Sequence, residues 1–224
     1  MAERTVIVLG AAGGLGRAVT ERFRDDGAAV VAFDARIPAA EHRQDRVEYV
    51  AVDALDETSV SAAFAQVPAA AAVVNLIGGY TPPQALSSLD VGVLRQQLEL
   101  NLVTAAIVTK HALPMLAARG GGAIVHVSSR VALEKWETAF SYSVSKLGVV
   151  RLVEAAAEEG RPQGVRVNCI LPSIIDTPAN RAAMPDAKHH RWPKPAQLAA
   201  VLAFLVSDDA ILISGAAIPV YGQA

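Results

Sequence analysis

A doubly wound α/β fold, a single parallel sheet with helices on both faces, is what this sequence predicts, and three observations predict it. Short β-rich apolar runs alternate with stretches of helical period along all 224 residues, without a break in composition. A glycine-rich turn follows the first of these runs at once and opens the first helix. Glycines and polar residues then recur just past the carboxyl end of one run after another. In such a fold right-handed crossovers bring every strand's carboxyl end to one edge of the sheet, where ligands bind.

In chain order, residues 5–9 form an uninterrupted apolar run, as suits a strand covered on both faces. The turn Gly10-Ala11-Ala12-Gly13-Gly14-Leu15-Gly16 leads into a helix over 17–26 that Gly27 closes. Residues 28–33 are the second strand, ending in Asp34, and complete a βαβ unit. A third strand, 47–52, ends at Asp53, and a helix over 57–67 carries Val60, Ala63, Phe64 and Val67 on one face. Strand four, 72–77, runs into the loop Gly78-Gly79-Tyr80-Thr81-Pro82-Pro83. A long helical region, 88–118, contains Asn101 and stops at Gly120-Gly121-Gly122. Strand five, 123–127, delivers Ser128 and Ser129, and the helix 140–159 bears Tyr142 and Lys146. Strand six, 165–170, gives way at Leu171-Pro172 to a loop lasting until about 195; a helix at 196–206 and a short strand at 216–220 follow. The expected organisation is one domain over 1–224 with a lid loop at about 173–195.

Composition narrows the function. Hydrophobic residues make up 52% of the chain and the net charge is −2, with no long run of one sign. Neither nucleic acid nor an anionic membrane is an expected partner; a small molecule is. Cys169 is the only cysteine, which leaves no disulfide framework and no thiolate cluster, and a small buried hydrophobe is its expected role. Adjacent His189 and His190 lack a nearby acidic cluster, so no metal is expected. No apolar run approaches the ~20 residues that span a bilayer, and the N-terminus does not read as a signal peptide, so a cytoplasmic location is expected.

The chemistry-bearing residues sit where the fold would gather them. Glycines after the first strand let the backbone approach a pyrophosphate, and the helix N-terminus adds N–H groups and positive potential; Gly10, Gly14, Leu15 and Gly16 are the candidates. An acid at the end of strand two accepts hydrogen bonds from the adenosine ribose of NAD and repels the 2′-phosphate of NADP. Asp34 therefore predicts NAD as the preferred cofactor, with NADP not excluded, since Arg36 lies two residues beyond. Tyr142 and Lys146 are four apart, on one helical face, with Ser129 thirteen residues before the tyrosine. A phenol beside a fixed ammonium has its pKa lowered from about 10, which suits a proton donor to a carbonyl oxygen. The same spacing also fits a surface hydroxyl beside a solvated lysine.

With these residues in place, the chain resembles the short-chain dehydrogenase/reductase superfamily over nearly its whole length. The glycine turn, Asp53, Asn75-Leu76-Ile77-Gly78, Asn101, Ser129 and Tyr142-x-x-x-Lys146 stand in that family's order and at about its spacing. Asn168-Cys169-Ile170-Leu171-Pro172 and the stretch from Ser207 to Val220 are similar as well. The resemblance implies a Rossmann-fold, NAD(P)-dependent oxidoreductase acting on a carbonyl or alcohol. It makes Tyr142 the general acid/base, Lys146 the holder of the nicotinamide ribose, Ser129 the partner of the substrate oxygen, and Asn101 the support of a proton relay to Lys146. Asp53 would contact adenine, Asn75 and Gly78 would line the cofactor groove with Pro172, and Thr177 would meet the carboxamide. Tyr80, Trp136 and Trp192 are candidate substrate contacts by position. A homo-dimer or homo-tetramer, joined through the helices beginning near Ser88 and Phe140, is also implied.

Three departures stand out: Leu9 replaces a usual threonine, Asn75-Leu76-Ile77-Gly78 replaces Asn-Asn-Ala-Gly, and Ser173 replaces the glycine that usually follows the proline. Asp176 to Arg181, Met184-Pro185, Trp192 and Pro195 are similar to the dihydropteridine reductase branch, although Asn180 and Arg181 also fit a capping role in the lid helix. That reductase lacks the catalytic serine present here as Ser129, so a carbonyl or alcohol substrate is expected ahead of a pterin. Dihydropteridine reductase-like activity and a non-catalytic dinucleotide-binding sensor are the alternatives.

Overall fold

The computed structural model describes residues 4–135 and 138–223. They form a seven-stranded sheet in the order β3-β2-β1-β4-β5-β6-β7, with every pairing parallel. The strands are β1 (Thr5–Leu9), β2 (Ala29–Asp34), β3 (Val47–Ala51), β4 (Ala72–Asn75), β5 (Gly122–Val127), β6 (Val165–Pro172) and β7 (Ala217–Val220). Helices α1 (Gly14–Asp25) and α7 (Pro195–Val206) cover one face; α2 (Glu57–Ala65), α4 (Thr104–Ala118) and α5 (Phe140–Gly160) cover the other. Helix α3 (Val91–Leu98) leads into α4, and α6 (Pro178–Ala183) lies between β6 and α7.

The strands read as unbroken apolar runs because both their faces are buried. Ile7, Leu9, Val31, Phe33, Val73 and Ile124 point to the α2/α4/α5 layer. Their neighbours Val6, Val8, Val30, Ala32, Val74 and Val125 point to α1 and α7. This two-sided coverage is the mark of a parallel sheet with crossover helices. Strand order reverses between β1 and β4, which separates the loops after them and opens a crevice at their carboxyl ends.

Several boundaries differ from expectation for local reasons. Helix α1 starts at Gly14 rather than residue 17, since Gly16 tucks against the preceding turn: a Cβ there would lie 2.3 Å from the Gly10 carbonyl oxygen. Strand β4 ends at Asn75, where its side chain turns the backbone by accepting from the Ile77 N–H at 3.1 Å. The expected loop after residue 170 is strand to Pro172 and contains α6.

The region 88–118 is one helical run, Val91–Ala118, with a π-turn at Glu99–Val103 between α3 and α4. By length and composition alone this run is long and apolar enough to cross a membrane, which no unbroken apolar stretch had suggested. Its apolar residues instead recur at helical period, and Ala105, Val108, Ala112 and Leu116 are buried on the sheet.

Leu202 on α7 is fully buried in the α1/α7 layer, so Leu202→Ala should lower unfolding free energy by about 2–5 kcal/mol, measured by urea denaturation.

Candidate active site

A cleft of about 590 Å³ runs across the carboxyl ends of β1, β2 and β4, lined among others by Gly10, Gly13, Asp34, Asp53 and Gly78. Its floor follows from the glycine turn. Gly10 has φ +75°, a left-handed conformation that favours glycine, and a side chain there would press on the backbone of Leu76 and Ile77 at 3.2–3.3 Å. At the N-terminus of α1, Gly13 offers no capping side chain, which leaves first-turn N–H groups to an incoming anion. Asp34 stands at the end of β2, where Oδ2 accepts from the Ala12 N–H at 2.9 Å and Oδ1 from the Arg36 N–H at 3.1 Å. Each oxygen keeps a lone pair for a ribose hydroxyl. A dinucleotide fits this donor set: an acid at one end, amide donors in the middle, and Gly78 at the other.

Of the remaining candidates on this side, Asp53 lines the cleft and the others lie beneath or beside it. Leu15 is packed in the α1/α7 core and Gly16 is pressed on the turn, so both act beneath the cleft. Asp53 is exposed, and its Oδ1 accepts from the Leu55 N–H at 2.9 Å. Asn75 is 2% exposed; its amide meets His126 and the turn rather than the cleft surface. Pro172 is buried at the end of β6. Arg36, Ala12 and Leu55 line the cleft too; the Ala12 role is a backbone one, for which sequence carries no signal.

Past Gly78 the cleft meets a cluster built from four segments. A Cβ on Gly78 would lie 2.6 Å from Lys146 Nζ and 2.7 Å from Asn101 Oδ1, so this loop passes directly under both side chains. The Asn101 carboxamide is 1% exposed and fully engaged. Oδ1 accepts from the Gly79 N–H at 2.9 Å, while Nδ2 points at the Gly79 carbonyl (3.0 Å), Gln97 Oε1 (3.2 Å) and Ser145 Oγ (3.1 Å). The π-turn delivers it there. One extra residue in that turn rotates the helix, a device that recurs at functional sites and leaves no plain mark in sequence.

Helix α5 brings Tyr142 and Lys146 to one face, and two residues past the end of β5 stands Ser129, 9% exposed and near enough to the Tyr142 phenol to act on its pKa. The ammonium of Lys146 is buried, donates to the Val127 carbonyl at 3.0 Å, and lies 6.0 Å from the centre of the Tyr142 ring. Ser128 braces the same helix, its Oγ donating to the Lys146 carbonyl at 2.8 Å.

The electrostatics correct one expectation. Burial, the largest effect, raises the Tyr142 pKa above its ordinary value, and the nearby Ser129 hydroxyl only partly opposes it. Lys146 does not lower it here because its ammonium is turned to Val127. Burial likewise brings Lys146 down to about 8. His126 is brought down to about 4, by burial first and Lys146 second, and is neutral at pH 7.

His126 sits opposite Asn75 in the β4–β5 register, with Nδ1 3.2 Å from Asn75 Nδ2 and Nε2 3.0 Å from Thr109 Oγ1. Thr109 already donates its hydroxyl proton to the Ala105 carbonyl. The imidazole must therefore carry its proton on Nε2 and accept from Asn75 at Nδ1.

The segment between β6 and α7 folds back over the glycine turn: Thr177 Cγ2 would be 3.1 Å from a Cβ on Gly14. Thr177 caps α6 by accepting from the Asn180 N–H at 3.2 Å. Asn180 and Arg181 are engaged within the segment, by the Ile175 carbonyl and by Asp176 respectively. Tyr80 is exposed and meets Tyr142 edge-on, with ring centres 5.1 Å apart. Trp192 is 6% exposed and lies against His189, 4.6 Å between centres, which makes it a packing residue of the segment. Trp136 lies outside the described residues. Among the described residues no three His, Cys, Asp or Glu side chains converge as metal ligands do.

Comparison with known proteins agrees with this geometry. The family model described as short chain dehydrogenase matches residues 4–188. Cis-4-hydroxycyclohexanecarboxylate dehydrogenase of Sinomonas cyclohexanicum is 35% identical, over 99% of this chain and 96% of that one. L-fucose dehydrogenase of Bos taurus is 31% identical, over 99% and 92%. The solved structure of a short-chain type dehydrogenase/reductase from Mycobacterium ulcerans superposes with a TM-score of 0.89 at 27% identity, over 98% of this chain and 89% of that one.

The His126 network makes stability depend on pH. Unfolded histidine takes up its proton near 6.5, whereas the folded chain resists until about 4. Between those values the unfolded state binds the extra proton, so the neutral-histidine contribution is complete above about 6.5 and is lost as pH falls towards 4. From pH 7.5 to 4.5 unfolding free energy should drop by about 2–3 kcal/mol from this residue, and urea titrations of His126→Gln should lack that component.

Proposed function

Since the chain belongs to the short-chain dehydrogenase family, a class of NAD(P)-dependent oxidoreductases, we propose that it interconverts a carbonyl and an alcohol with Tyr142 as general acid and base. The observation that carries this is the gathering of Tyr142, Lys146 and Asn101 around Gly78 at the end of the dinucleotide cleft, with Ser129 beside the phenol. The cofactor, when bound, supplies or takes up the hydride at the substrate carbon. The protein's residues handle the oxygen. Ser129 Oγ hydrogen-bonds it, and Tyr142 protonates it as negative charge develops during reduction.

The raised pKa of Tyr142 keeps the phenol protonated at neutral pH, the form that reduction requires. Oxidation of an alcohol needs the phenolate. That form is stabilised when the Lys146 ammonium turns from Val127 towards the phenol, on the same face of α5. Lys146 would hold the ribose next to the nicotinamide, and Asn101 fixes the Gly78-Gly79 loop beside it.

We assign NAD as the preferred cofactor, on the strength of the Asp34 carboxylate at the end of β2. The residues 173–195 act as the lid, with Thr177 at the carboxamide and Tyr80 facing the substrate. The relatives above are dehydrogenases of a hydroxycyclohexanecarboxylate and of a sugar. A secondary hydroxyl on a small polar molecule, or the matching ketone, is the proposed substrate class. A homo-oligomer in the cytoplasm completes the proposal; Phe140 and Leu147 on α5 and Val91 on α3 remain exposed as its contact face.

Tyr142→Phe should cut turnover by about 10²–10⁴-fold in a ketone-reduction assay while NADH binding, read by fluorescence titration, changes by no more than about twofold. Undiminished activity would remove Tyr142 from the mechanism. Catalytic efficiency should be higher with NADH than with NADPH, and Asp34→Ala should shrink or reverse that ratio; a wild-type preference for NADPH refutes the assignment.

A further inference from the structure

Ser173, which stands in place of a family glycine, has a partner in the fold. Its Oγ donates to the Tyr221 carbonyl at 2.6 Å. The Tyr221 ring rests on the edge of the α5-side core, and the Arg130 guanidinium carbon lies 4.9 Å from its centre. Arg130 is the residue after Ser129, in the turn Arg130–Ala132, and its Nε also donates to Glu134 Oε2 at 2.6 Å.

The two residues that follow Tyr221 reach the other end of the lid. Gln223 N–H donates to the Arg191 carbonyl at 3.0 Å. Gly222, at φ +68°, lies so close that a Cβ would be 3.0 Å from that carbonyl and 3.1 Å from Pro193 N. The Pro193 carbonyl in turn accepts from Asp176 N–H at 3.0 Å. Residues 221–223 thus touch the turn bearing Ser129, the first residue of the lid and its last few.

We propose that Tyr221, through Arg130 and Ser173, is a positioning residue that sets the lid against the Ser129 turn and thereby fixes where the substrate oxygen meets Ser129 and Tyr142. This rests on the carbonyl-reductase reading of that site. A lid held at both feet closes in one place; freed at either, it samples others, and misplacement of a substrate by a fraction of an ångström slows reaction. The ring face is what Arg130 requires, and the hydrogen bond from Ser173 goes to a main-chain oxygen, so the tyrosine hydroxyl is dispensable to both.

The test uses Tyr221→Ala, Tyr221→Phe and Ser173→Gly in the full chain. Three quantities are measured: KM for the ketone, Kd for NADH, and the rate of tryptic cleavage after Lys188 and Arg191 in NADH-saturated protein. Tyr221→Ala should raise KM and the cleavage rate about fivefold with NADH Kd within about twofold; Ser173→Gly should move both in the same direction by less, and Tyr221→Phe should restore both. Unchanged KM and cleavage in Tyr221→Ala overturns the proposal, as does a loss of melting temperature with neither affected. If Tyr221→Ala does not fold, Ser173→Gly decides alone: faster cleavage and higher KM support the proposal, and wild-type values of both reject it. The cleavage rate needs no turnover, so failure of the Tyr142 mechanism and failure of the lid restraint are separately visible.

Discussion

One buried carboxamide holds the site together. Asn101 accepts from the Gly79 N–H and directs its amide to the Gly79 carbonyl, Gln97 and Ser145, which joins the loop after β4, the helix α3 and the helix α5 at a single group. A buried amide with all its bonding capacity used specifies one arrangement, because any slip leaves a donor or acceptor without water. Gly78 is thereby held under Lys146, and the dinucleotide cleft is brought up to the tyrosine. Asn101 makes these bonds from within the π-turn at Glu99–Val103, a feature that recurs at functional sites.

A second layer of order is electrostatic. Lys146 and His126 are both buried within the same few residues, and burial disfavours the charge on each. The two respond differently. The histidine stays neutral, with one ring nitrogen donating to Thr109 and the other accepting from Asn75, while the lysine keeps an ammonium that a single backbone carbonyl receives. Charge is thus kept off β5 itself and placed on one buried side chain near the phenol. The result is a phenol whose pKa burial raises, next to an ammonium held by the Val127 carbonyl.

The layering of the fold was legible in the sequence because burial on two faces writes itself as unbroken apolar strands between amphipathic helices. Ile7 and Leu9 face one layer and Val6 and Val8 the other, so no polar residue interrupts the run. The placing of Tyr142 and Lys146 on one face was legible as well, since the two stand one helical turn apart on α5. The Tyr142 pKa was not. Helical spacing places the ammonium on the correct face, but its rotamer is decided by the Val127 carbonyl, which belongs to another element. The family resemblance implied a groove position for Asn75, the last residue of β4, and the structure directs its amide to its cross-strand neighbour His126.

Ser173 shows the same division at longer range. In the sequence it is only a departure from a glycine, and its partner Tyr221 lies forty-eight residues further on. Nothing local connects them, because the contact exists only once β7 has paired beside β6 and carried the end of the chain back over the site. The Ser129-Tyr142-Lys146 set returns to much the same account. Sequence by itself determined the parallel α/β layering, the glycine turn with Asp34, and the presence of a tyrosine and lysine one helical turn apart, since each follows from periodicity and spacing within a segment. Tertiary structure alone decided the π-turn that holds Asn101, the resting place of Lys146, the neutral tautomer of His126 and the tie between Ser173 and Tyr221. Those depend on which buried donors meet which acceptors across elements, and spacing along a chain does not contain that pairing.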